Sequence, residues 1–99
     1  MAITANVDLG NGVTASSCYI IVPTAYVKKF EDDSFKLIYD VHIYKDASDR
    51  ATNNDMKQIK CREVDHHKID YDTAASDNPF VLAYTHLKTN GKLSSVADA

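Results

Sequence analysis

The feature that most constrains this chain is the alternation from Phe35 to Ile43. Phe35, Leu37, Tyr39, Val41 and Ile43 fall on one face of an extended segment, and Lys36, Ile38, Asp40, His42 and Tyr44 fall on the other. Successive side chains of a strand point to opposite faces, so a period of two spells a strand. A face that is apolar at every position has to be covered by another layer. Any fold for this sequence therefore needs a sheet and something laid upon it.

The flanking segments supply more strand. Ile3, Ala5, Val7 and Leu9 alternate with Thr4, Asn6 and Asp8, and Gly10-Asn11-Gly12 then ends the run in a tight turn, because these residues tolerate positive φ. Val13 to Lys29 is rich in β-branched and aromatic residues and reads as a second strand. Pro23 lies inside it. A proline cannot donate to a ladder, which predicts a bend, a bulge or an edge position there. Glu31-Asp32-Asp33-Ser34 is a polar turn that joins this strand to the Phe35 strand as a long hairpin. Lys45 to Asn54 is small and polar and is expected as a short, exposed, irregular excursion, with a helical turn capped by Asp46 as the alternative. Met56 to Tyr71 reads as a fourth extended segment. Ile59 and Cys61 share a face and Val64 falls on the other, which suggests a bulge near Arg62-Glu63.

The covering layer is expected near the C-terminus. Asn78 suits an N-cap and Pro79 the first helical position. Phe80, Ala83, Tyr84 and Leu87 follow helical spacing, Lys88 complements the dipole, and Gly91 suits a left-handed cap. The helix is expected over about 78–90, followed by a short tail, 91–99, with Leu93 and Val96 as its larger apolar residues. The fold expected is α+β, one domain over residues 1–99: a small antiparallel sheet of about four strands with one C-terminal helix packed on one face.

Charge and composition narrow the function. The formal net charge is −3, so no basic field is present to attract nucleic acid, and Lys28-Lys29 and the Lys57–Arg62 cluster read as solvated strand faces. No apolar run reaches the ~18 residues of a membrane span. The first residues, Met1 to Asn6, have neither a basic nor an apolar signal region. Cys18 and Cys61 allow one disulfide, but both sit at apolar-face positions, and buried free thiols are the expectation.

Candidate chemistry is sparse. His66 and His67 are adjacent and would point to opposite faces of a strand, so they cannot grip one metal together. Glu63, Asp65, Asp70 and Asp72 lack a calcium-loop spacing. Cys18 with His42, His67 or His86 has no nucleophile signature around it, and the paired carboxylates lack the apolar surroundings that raise a pKa for acid catalysis. No catalytic residue, metal or cofactor is expected. The six tyrosines (Tyr19, Tyr26, Tyr39, Tyr44, Tyr71 and Tyr84) divide between filling a core that has no Trp and serving an intersubunit surface.

The ends of the chain add a resemblance. Met1-Ala2-Ile3-Thr4-Ala5-Asn6-Val7, then Asn11-Gly12-Val13-Thr14-Ala15-Ser16 and Tyr19-Ile20, resembles the opening of small, uncharacterised structural proteins found among the tail, baseplate and fibre components of tailed bacteriophages. Ala83-Tyr84-Thr85-His86-Leu87-Lys88-Thr89, with a close at Val96-Ala97-Asp98-Ala99, is similar to their end. Where those proteins carry a Leu-Pro and an aromatic after Lys-Thr, this chain has Asn90-Gly91-Lys92-Leu93, leaving Leu93 and Val96 for the apolar roles. The resemblance implies a non-enzymatic virion part in several copies, made in the host cytoplasm, whose partners are other phage structural proteins rather than nucleic acid or membrane. A capsid decoration protein, or a small receptor- or carbohydrate-binding module, is the alternative. Tyr26, Tyr84, Leu87, Leu93 and Val96 are the expected interface residues.

Overall fold

The computed structural model of the chain describes residues 2–10, 12–52, 58–59, 61–72 and 78–99. These form strands β1 (Ile3–Gly10), β2 (Val13–Lys29) and β3 (Phe35–Tyr44), a short helix α1 (Ala47–Thr52), strand β4 (Gln58–Ile59), a helical turn α2 (Arg62–Asp65), strand β5 (His66–Asp70), helix α3 (Pro79–Leu87) and strand β6 (Leu93–Asp98). The strands make one antiparallel sheet in the order β4-β3-β2-β1-β6, and β5 shares the outer edge of β3 with β4. The molecule is thus a small antiparallel sheet with few helices.

The alternation at Phe35–Ile43 does what its pattern requires: Leu37, Tyr39 and Ile43 are fully buried and Val41 nearly so. They meet Ile3, Ala5 and Val7 of β1, Cys18, Ile20 and Val22 of β2, and Ala83, Tyr84 and Leu87 of α3 in one apolar cluster. Ile38 and Tyr44, on the opposite face of β3, are also buried. The long hairpin forms around the acidic turn. Phe30 N–H donates to the Ser34 carbonyl at 2.8 Å, Asp32 accepts from Ser34 N–H at 3.1 Å, and Asp33 takes a positive φ of 63°. The first turn follows its glycines, with φ of 87° at Gly10 and 77° at Gly12; Asn11 lies outside the described residues.

Pro23 marks a bulge. Ile21 pairs with His42 but Thr24 pairs with Asp40, so Val22 and Pro23 together oppose Val41. The extra residue reverses the parity of β2. Before it Cys18, Ile20 and Val22 face the core; after it Ala25 and Val27 do. Two more bulges flank Asn6. Ser16 and Ser17 oppose it on β2, where its Oδ1 accepts from Ser17 N–H at 2.9 Å, and Ser95 and Val96 oppose Ala5 on β6. Ser17 and Ser95 take φ of 54° and 52°.

Four expectations need correction. Among the described residues the sheet has six strands, not about four. The segment expected to run extended from Met56 to Tyr71 is interrupted at Arg62–Asp65 by α2. A helical turn puts positions i and i+3 on one side, so Cys61 and Val64 both reach the core, at 5% and 0% exposure. That turn, not a bulge, resolves the change of parity. Residues 91–99 are not a tail: Leu93 pairs with Val7 and Asp98 with Ile3, antiparallel along the outer edge of β1. Finally, α3 spans Pro79–Leu87 and closes without a left-handed glycine. Thr89 and Asn90 N–H donate to the carbonyls of His86 and Leu87, each at 3.0 Å, a tightened last turn. Its start is as expected, with Asn78 accepting from Phe80 N–H at 2.8 Å and Pro79 at the first position. Of the Lys45–Asn54 excursion, Ala47–Thr52 is helical; Asn53 and Asn54, like Met56, Lys57 and Lys60, lie outside the described residues.

Candidate functional site

Three groups that are distant in sequence converge where β3, β5 and α3 meet. β5 alternates, so His66 and His67 point apart as their adjacency requires. His66 faces outward and its Nδ1 meets the Asp40 carboxylate in an exposed pair. His67 faces inward. Its ring lies 5.1 Å from that of Tyr39 and 5.5 Å from that of His86. Tyr39 is fully buried, and its hydroxyl is 2.6 Å from His86 Nδ1. Asn90 closes the group from the turn after α3, donating to the Glu63 carbonyl at 3.0 Å and standing 3.4 Å from His67 Nε2.

The electrostatics follow from enclosure. Burial, and then the neighbouring His86, hold His67 below the ordinary histidine value. Burial pushes the Tyr39 phenol well above its ordinary value. The group is therefore held as a phenol beside a His67 kept neutral near pH 7, tying α3 to two strands by ring contact and hydrogen bonding. Among the described residues no cluster of three His, Cys, Asp or Glu side chains is placed to hold a metal ion. The two thiols are free and buried. Burial raises both: Cys18, on β2 opposite Ala5 of β1, packs in the core, and Cys61 Sγ is directed at the Asp8 carbonyl, 3.6 Å away. A thiol raised in this way holds little of the nucleophilic thiolate at neutral pH.

The expected interface residues separate into two sets. Leu87, Tyr84 and Leu93 are 0%, 4% and 8% exposed and belong to the chain's own core, with Val96 packed partly against it. Tyr84 also anchors the backbone of β2, because its hydroxyl accepts from Val22 N–H at 2.8 Å. Tyr26 alone of the five stands out into solvent, at 47% exposure. Phe80 and Val81 are also exposed, and with Val22, Asn78 and Tyr84 they bound a shallow groove beside the β2 bulge.

An edge surrounds Tyr26. β2 is 17 residues long and β1 only eight, and their pairing ends at Ile3 with Ile20. From Ile21 to Lys29, β2 pairs only with β3 among the described strands. Phe30 N–H points to Ser34 of the same hairpin. Alternation then directs the N–H and C=O groups of Thr24, Tyr26 and Lys28 toward β3, and those of Ala25, Val27 and Lys29 outward along a free edge. Beyond this arm, Lys28 and Lys68 lie over the Phe30 ring at 5.5 and 5.2 Å, while Lys29 pairs with Asp33 and Lys36 with Asp70. Pro23 pointed to a bulge or an edge in the second strand, and both occur there. The other signal was length: a strand twice as long as its neighbour leaves half of one side unpaired.

No helix among the described residues is long and apolar enough to cross a membrane. No family model, no curated protein and no solved structure matches the chain.

Proposed function

We propose that this chain is a non-catalytic structural component of a tailed-phage particle, at the tail, baseplate or fibre-attachment region, and that it acts by assembly with other phage structural proteins in several copies. The observation that carries the reading is the outer edge of the β2 arm, which pairs with no second strand among the described residues and has Tyr26 exposed at its centre. Free strand edges are what natural sheets normally shorten, charge or cover, and one that runs in regular register from Thr24 to Lys29 fits a chain whose edge is filled by a neighbour. The resemblance of both chain ends to phage structural proteins supplies the setting. The histidine–tyrosine group supports the reading from the other side, since its rings pack on one another where β3, β5 and α3 meet and serve to fix α3. We read α3 as the cover over the Phe35–Ile43 face, held by burial of Ala83, Tyr84 and Leu87 and by the Tyr84–Val22 and Tyr39–His86 contacts.

The test is recovery. Particles purified by density gradient from a host expressing the complete phage genome are expected to contain this chain in multiple copies by quantitative mass spectrometry. Its absence from intact particles, or binding to a glycan array by the isolated chain, would remove the structural role.

A further inference from the structure

We infer that the free arm of β2 is a self-pairing edge: two copies of this chain join antiparallel across Pro23–Lys29 about a two-fold axis at Tyr26, continuing one sheet through the dimer. This deepens the assembly reading and takes from it only the biological setting.

The edge itself selects the occupant. Among the described residues nothing pairs with the outward backbone groups of Ala25, Val27 and Lys29, which only another extended backbone satisfies in series. In an antiparallel ladder, residues with outward groups pair with one another. One such register places Tyr26 opposite Tyr26 of the second copy, Ala25 opposite Val27, Thr24 opposite Lys28 and Pro23 opposite Lys29.

Each pairing is favourable or neutral. The two Tyr26 side chains meet at a non-hydrogen-bonded position, where cross-strand Cβ atoms approach to ~4.5–5.5 Å and aromatic pairs add stability. Ala25 and Val27, both partly buried against the core, cover one another on the inner face. The lysines fall opposite uncharged residues, so no like charges oppose. The boundaries also fit. Pro23 has no N–H to leave unpaired, and the next outward donor, Val22 N–H, is already taken by Tyr84. The pairing therefore begins where the intramolecular partner ends.

The isolated chain is expected to sediment as a concentration-dependent dimer. Val27→Pro removes the outward Val27 donors of both copies while leaving the bonds to β3, a position where an edge strand tolerates proline. It should weaken the dimer by about tenfold or more, with the circular dichroism spectrum retained. Independently, Tyr26→Cys should be oxidised by diamide to a disulfide-linked dimer, whereas Val13→Cys, exposed at the other hairpin, should not; the native cysteines are buried and do not compete. A strictly monomeric chain at millimolar concentration, a dimer indifferent to Val27→Pro, or failure of Tyr26→Cys to cross-link overturns the self-pairing edge. None of these results bears on whether the chain is recovered in particles, so the two readings fail separately.

Discussion

Tyr84→Phe isolates one hydroxyl at the point where β2 leaves its neighbour. The ring packs among core residues and stays in the variant, while its oxygen, the acceptor for Val22 N–H at 2.8 Å, is lost. An unmade bond to a buried backbone donor costs ~1–3 kcal/mol. Val22 lies beside the groove bounded by Phe80 and Val81, where water can replace the hydroxyl, so the lower part of that range, ~1–2 kcal/mol, applies here. For a domain of this size each kcal/mol moves the melting temperature by ~4–8 °C. Tyr84→Phe should therefore melt about 4–15 °C lower by circular dichroism. Hydrogen exchange should quicken at the Val22 amide more than at Ile20, which lies within the three-strand part of the sheet. An unchanged melting temperature together with an unchanged Val22 exchange rate would refute the idea that Tyr84 caps the open strand.

Two further predictions test the interior. His67 titrates below the ordinary histidine value of 6.5 because it is enclosed with His86, so the unfolded chain binds its proton more readily than the folded one. Stability is then full above pH 6.5 and falls as pH drops from there through the folded value; thermal melts from pH 7.5 to 5.0 should show that slope, His67→Gln should flatten it, and an identical slope in the variant would show that other groups carry it. Removing residues 93–99 should destabilise the fold itself, because it exposes the edge of β1 and deletes Leu93, whose burial contributes ~1.5–3 kcal/mol; a truncated chain with the full-length denaturation midpoint in urea would contradict the pairing of β6.

The fold was legible where its causes are local. Alternation at Phe35–Ile43 needs no partner to be recognised, and Pro23, the Glu31–Ser34 turn and Asn78-Pro79 each act through their own backbone. What was illegible depended on distant residues. The β6 strand carries a bulge at Ser95 and Val96 that erases its period, and it is a strand only because β1 offers an edge. The turn at Arg62–Asp65 exists to bring Val64 inward, which the adjacent polar residues conceal. Tyr39, His67 and His86 lie on three elements, and their meeting is a property of topology. Tyr84 and Leu87 on the helix, Leu93 and Val96 after it and Tyr26 beyond Pro23 were expected at an interface from their places along the chain, which do not distinguish a side chain that fills a core from one that meets a partner. Only Tyr26, beyond the bulge, was left outside.

The bulge on β6 has a consequence for how such a molecule can polymerise. A sheet with two regular edges is a bivalent monomer, and head-to-tail addition then has no natural stop. Here the edges differ. Ser95, at a φ of 52°, breaks the spacing of donors along β6 and denies an incoming strand a continuous template. The arm of β2 has no such break between Thr24 and Lys29. On the proposed pairing the β2 arm is consumed as soon as two copies have met, and the broken β6 edge offers no regular template for adding a third.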